Sequence, residues 1–230
     1  MPPDAPFTWI DSNGWLILSG PPDALSELRA QALSRYDGAG AIAYISMADD
    51  LGDALMDDMA ELGAATGYLV DLETGDNNEI YERLTGAGMI VIEAARASES
   101  LERLMTQTVL SAMKSALERG ALILLEGAAA SLAGEYRLTA ESGLSGGMNF
   151  VRNALITMSA ASELMPDIHH ELPEVSIIGL APAAALALGP GRRIETWGDA
   201  EVTISLPDPA RLNAIHRGDS SHAHPPTDLL

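Results

Sequence analysis

The chain has 230 residues, 47% hydrophobic but only 4% aromatic, enough to bury one large core made of aliphatic rather than aromatic side chains. Thirteen Lys and Arg against 33 Asp and Glu give a formal charge of -20, which repels phosphate backbones and anionic surfaces and argues against a nucleic-acid or membrane partner. The absence of cysteine excludes disulfides, thiolate metal sites and a cysteine nucleophile, and the expected setting is a reducing cytoplasm.

Short apolar runs bounded by Gly, Pro or Asp alternate with stretches of helical period, the pattern of strands joined by crossover helices in a mostly parallel sheet. The expected strand 15–18 ends at Ser19-Gly20-Pro21-Pro22, and Asp23 is placed to cap a helix over 24–35. A strand over 41–46 precedes an amphipathic helix over 51–62, with Leu51, Leu55, Met59 and Leu62 on one face and Asp53, Asp57, Asp58 and Glu61 toward water. Next come a strand at 68–72, a short helix at 77–85 and an apolar strand at 89–92. One long helix is expected over 98–119. Strand 121–125 is the most hydrophobic and so the central one, and it runs through Glu126-Gly127 straight into a helix over 128–133.

Beyond Gly134 the pattern loosens. Residues 142–147 read as a Gly and Ser turn, 154–158 as a strand and 159–165 as a short helix. Strands at 175–180 and 184–188 flank Ala181-Pro182, and Gly189-Pro190-Gly191 is a hairpin turn; 193–197 and 201–206 are expected to pair antiparallel. The expectation is one α/β domain over 1–206 and a polar, Pro-rich tail over 207–230. No leader of basic then apolar residues is seen at the start. No run approaches the ~20 apolar residues of a membrane helix.

The tight strand-to-helix passage at 121–135 (ALILLEGAAASLAGE) has the architecture of a nucleophile elbow, in which a serine is held at a sharp turn above a sheet. This stretch resembles, without a gap, the elbow of the cyanophycinase and dipeptidase E family of serine peptidases, whose pattern is a strand, Gly-Thr-Ser-Ala-Gly-Ala and a helix. The resemblance continues in order through 14–20 (GWLILSG), 88–96 (GMIVIEAAR) and 176–186 (SIIGLAPAAAL). It implies a three-layer α/β sandwich of the class I glutamine amidotransferase type, with a mostly parallel sheet between helices and a C-terminal antiparallel hairpin. Another flavodoxin-like or amidotransferase-like fold shares the same plan.

The departures carry the functional expectation. On the overlay the nucleophilic serine becomes Gly127 and its preceding threonine Glu126. The segment that would supply the catalytic histidine is Ile156-Thr157-Met158-Ser159-Ala160, and the pocket-shaping Gly-Gly-Asp-Gln loop becomes Glu93-Ala94-Ala95-Arg96. A late Ile-Asp-Glu pair becomes Leu180-Ala181-Pro182. Acyl transfer needs a hydroxyl or thiol, a base within hydrogen-bond reach and donors for the oxyanion. The expected site is therefore vestigial, lined by Glu126, Gly127, Ala128, Glu93, Arg96 and Ser159, with no catalytic residue.

Ser131, one turn into the elbow helix, is a displaced-nucleophile candidate, set against a helix serine bonded to its own backbone. Ser159 stands at a strand end, where open α/β sheets bind ligands, set against an N-cap role. Glu126 and Glu93 at adjacent strand tips could repel one another, bind a cation or pair with Arg96. Asp167-Ile168-His169-His170-Glu171 lacks metal-site spacing, His222 and His224 decorate the tail, and Arg217-Gly218-Asp219 is a coincidence. No Lys-Ser or Lys-Thr follows 142–147, and the only lysine is Lys114, so no phosphate cradle is expected there. Neither metal nor cofactor is expected. Three functions remain open: a pseudoenzyme binding a small ligand or peptide, a hydrolase using Ser131 or Ser159, and a structural subunit. The family resemblance implies a homodimer.

Overall fold

A computed structural model describes residues 6–21, 27–47, 51–94, 99–139, 143–158, 168–169 and 171–207. The elements run β1 Thr8–Trp9, β2 Trp15–Ser19, α1 Glu27–Arg35, β3 Ile42–Ser46, α2 Leu51–Glu61, β4 Gly67–Leu69, α3 Asn77–Gly86 and β5 Met89–Ala94. A 3-10 helix, Glu99–Met105, then leads into α4 Gln107–Glu118, β6 Leu122–Gly127 and α5 Ala128–Ser131. Strands β7 Gly134–Thr139, β8 Gly143–Gly146, β9 Val151–Met158, β10 Ser176–Leu180, β11 Ala185–Gly189, β12 Arg193–Trp197 and β13 Val202–Ser205 follow.

The larger sheet has the order β12-β11-β2-β6-β5-β3-β4. From β2 to β4 every pairing is parallel, whereas β11 runs antiparallel to both β2 and β12. Its central strands are buried on both faces, as their unbroken Leu, Ile and Val runs require. One face packs on α1 and α2 through Trp15, Ile17, Leu28, Ala32, Leu55 and Met59. The opposite face packs on α3, α4, α5 and the inner side of a second sheet. The result is an α/β sandwich with helices on both sides of a mostly parallel sheet.

That second sheet, β13-β10-β9-β7-β8 with β1 on β9, corrects the expectation of one sheet. Two of its strands fall where a loose segment and a turn were read: β7 has only Tyr136 and Leu138 as large apolar residues, and β8 is Gly-Leu-Ser-Gly. Neither has the β-branched run that marks a strand locally; pairing with β9 and with each other holds them. The C-terminal hairpin exists, but as β11 with β12. The expected pairing of 193–197 with 201–206 does not form, because β13 crosses to the second sheet and pairs with β10, Ile178 opposite Ile204. There Val202 packs against the main core.

The expected long helix also breaks in two. Thr106 takes an extended conformation, and its hydroxyl accepts from the Val109 amide, so it caps α4 and ends the 3-10 turn before it. The tail from 208 and the segment 159–167 lie outside the described residues, as do the expected helix start at 22–26 and the loop 95–98. Among the described residues no helix is long and apolar enough to cross a membrane.

Candidate functional site

The carboxyl ends of the parallel strands carry one row of polar residues. Ser19 pairs in register with Glu126, Glu126 with Glu93, and Glu93 with Ser46, on β2, β6, β5 and β3. Side chains alternate along a strand, so these four share the face of Trp15, Leu124, Val91 and Tyr44, the face covered by α1 and α2. An apolar core would leave buried carboxylates there without counter-charge.

Arg29, in the first turns of α1, supplies it. Arg29 is 6% exposed, and its guanidinium grips Glu126 with two groups: Nε donates to Oε1 and Oε2 at 3.1 and 3.0 Å, and Nη2 to Oε2 at 2.7 Å. Nη1 donates to Asp58 Oδ2 on α2 at 2.6 Å, and Nη2 lies 3.3 Å from Glu93 Oε1. Burial opposes the Arg29 charge, but the hydrogen bonds and charges of Glu126, Asp58 and Glu93 outweigh it and hold the guanidinium above its ordinary range. Burial pushes the Glu126 carboxyl up, Arg29 pulls it back, and the charges of Glu93 and Asp58 add to the rise. Arg29 thus takes the place expected for Arg96, which lies outside the described residues. The signal for Arg29 was its place on the buried stripe of α1 with Leu28 and Ala32.

On the other face of the sheet the chain turns sharply at Gly127. Its φ of 60° and ψ of -132° are in the positive-φ region that side-chain-bearing residues adopt only under strain. The Gly127 amide donates to the Gly20 carbonyl at 3.3 Å. Ala128, Ala129 and Ala130 are buried in the core shared with the second sheet; larger side chains would push α5 off the strands. Gly20 is as tightly placed: a Cβ there would lie 2.0 Å from the Ala181 carbonyl oxygen, where the chain passes from β10 to β11. The elbow geometry is thus present, and its turning residue has only backbone atoms.

The remaining candidates are dispersed. The Ser131 hydroxyl donates to the Ala128 carbonyl at 2.7 Å within its own helix turn, the bonding that back-bonded helix serines adopt. Ser159 and Arg96 lie outside the described residues; Thr157 is buried near the end of β9. Glu93 and Glu126 point away from α5, behind the sheet, and are held by Arg29. His169 bonds through Nε2 to the Ser205 hydroxyl at 2.9 Å. Ser205 pairs with Ile177 on the outer face of the second sheet, remote from the elbow. The other histidines singled out, His170, His222 and His224, and the Arg217-Gly218-Asp219 stretch lie outside the described residues. Among the described residues no group of three His, Asp or Glu side chains is placed to hold a metal ion. A cavity of about 240 Å³, lined by Asp37, Gly88, Arg119 and Gly120 among others, opens at the opposite end of the strands, whereas open α/β sheets bind ligands at the carboxyl ends.

No family model matches the chain, and no curated protein matches it in sequence. Solved structures do match in fold. A peptidase from an acI-B1 actinobacterium superposes with a TM-score of 0.66 over 86% of this chain and 94% of its own, at 17% identity. A candidate peptidase E protein from Listeria monocytogenes EGD-e superposes with a TM-score of 0.60 over 81% of this chain and 99% of its own, at 13% identity. The chain has a peptidase E-like fold.

Proposed function

We propose that this protein is a divergent, catalytically silent relative of the cyanophycinase and dipeptidase E peptidases that keeps the elbow as a binding or scaffold module. The observation that carries this reading is Gly127: the residue at the turn between β6 and α5 has the backbone angles of an elbow and no side-chain atom to attack a carbonyl. A serine-type mechanism with neither nucleophile nor base keeps only the residual catalysis of amide donors and binding, roughly a thousandfold over water. Three further observations support it. Ser131 spends its hydroxyl on its own helix turn, Glu126 is bound to Arg29 behind the sheet, and the peptidase-like neighbours share the fold at low identity.

What the elbow keeps is backbone: the Gly127 amide is bonded to the Gly20 carbonyl, and Gly20 is packed against Ala181. The test is turnover of Asp-terminated and isoaspartyl dipeptides by the purified chain. The expected result is no hydrolysis above that of a heat-denatured control, in wild type as in Ser131→Ala and Ser159→Ala. Hydrolysis in the wild type that disappears in either alanine variant would identify a displaced nucleophile and overturn the proposal.

A further inference from the structure

The described residues place three carboxylates on one guanidinium: Glu126, Glu93 and Asp58 against Arg29. Glu126 and Glu93 sit directly opposite each other on neighbouring parallel strands, about 4.8 Å apart along the hydrogen-bonding direction, with side chains on one face. Their side chains are 2% and 13% exposed, so water screens their repulsion poorly. Asp58, 39% exposed, is better screened. The other charged groups of the covering helices turn outward: Glu27 on α1 and Asp53, Asp57 and Glu61 on α2 are exposed, as is Arg35 at the end of α1, which pairs with Glu195. Among the described residues β2 and β3 add only the hydroxyls of Ser19 and Ser46 to the row; Asp23, Asp49, Asp50 and Arg96, in the adjoining segments, lie outside the described residues.

We infer that this cluster is a proton-binding clasp: it takes up one proton on acidification, and uptake tightens α1 and α2 on the strand tips beneath the elbow. The proton relieves the repulsion between Glu126 and Glu93 while the two remaining carboxylates keep Arg29 in place. The sign follows from linkage. The Glu126 carboxyl is raised from its ordinary 4.5, by burial first and by Glu93 and Asp58 next, against the pull of Arg29. A group raised in the folded state stabilises fully below its unfolded value, and that contribution is lost as the pH climbs through the folded value. The window therefore opens near 4.5 and extends upward. The clasp is independent of whether the elbow performs chemistry.

The test is the unfolding equilibrium of the full chain in urea between about pH 5 and pH 8, for wild type, Glu93→Gln, Asp58→Asn and the control Asp53→Asn. Asp53 is an exposed residue of α2, and its replacement lowers the overall negative charge by the same unit. A one-proton linkage changes the equilibrium constant by up to tenfold per pH unit. The expected result is a wild-type constant favouring the folded state increasingly toward pH 5. Glu93→Gln should make that dependence shallower, burial of Glu126 keeping part of it, and be at least as stable as wild type at pH 8. Asp58→Asn flattens it partially, and Asp53→Asn keeps the wild-type slope. Equal slopes in Glu93→Gln and Asp53→Asn, or Glu93→Gln less stable than wild type at pH 8, overturn the clasp. The first of these outcomes assigns the slope to overall charge, and the second shows that Glu93 is needed ionised.

Discussion

Replacing Arg29 with methionine tests the polar row most sharply, because the side chain keeps much of its apolar volume and loses only its charge and donors. Arg29 is 6% exposed and Glu126 1%, so removing the guanidinium leaves a carboxylate desolvated, without its hydrogen bonds at 2.7 to 3.1 Å, beside Glu93. Breaking one partner of such a buried pair costs about 3–5 kcal/mol. The Asp58 contact adds little, since that carboxylate is partly in water. Against a total stability of roughly 5–15 kcal/mol, the loss is a large fraction, and with a urea slope of about 2–3 kcal/mol per molar it shifts the midpoint by about 1–2 M. Trp15 and Trp197 report the transition: both are buried, and Arg35 of α1 stacks on each, 4.4 and 5.7 Å from the ring centres. The penalty should shrink on acidification, as Glu126 neutralises. Arg29→Met combined with Glu93→Gln and Glu126→Gln should regain at least half of the loss, because no unpaired charge then remains buried. A midpoint for Arg29→Met within about 0.3 M of wild type would refute the assignment of Arg29 as the counter-ion of the row.

Two other substitutions probe the elbow. Gly127→Ala forces a Cβ onto a backbone at φ 60°, ψ -132° and should cost about 1–3 kcal/mol, read from urea midpoints; a change below about 0.5 kcal/mol would mean the turn relaxes freely. Gly20→Ala sets a methyl 2.0 Å from the Ala181 carbonyl oxygen, backbone against backbone, so the passage from β10 to β11 must move. The expected loss is about 1–3 kcal/mol or more, and a crystal structure of the variant with Ala181 unmoved would contradict the close approach.

The sequence exposed the parallel half of this fold because its strands are buried on both faces: runs such as Ile90-Val91-Ile92 and Leu122-Ile123-Leu124-Leu125 have no rival reading, and Gly120 and Gly127 mark their ends. The second sheet was hidden for the opposite reason. Strands β7 and β8 owe their conformation to pairing with β9, a non-local cause that composition does not carry. Strand β13 was visible as a strand, but its partner was not, since residues 198–201 could close a hairpin as readily as cross between sheets. At the site, Gly127 could be read directly from the strand-to-helix junction. Glu126 and Glu93 were legible as neighbours at strand tips, yet what neutralises them depended on where α1 docks. Arg29 precedes Glu126 by 97 positions, and only the tertiary fold brings the two together.

The central claim concerns the elbow, where the turning residue offers backbone and no oxygen. Incubating the folded chain with a fluorophosphonate and weighing the intact protein measures this directly. The expected result is an unmodified mass at every incubation time, with a catalytically competent serine peptidase labelled in parallel. One adduct per chain, mapped by peptide sequencing to Ser131, Ser159 or any other single serine and lost on denaturation before labelling, would contradict it.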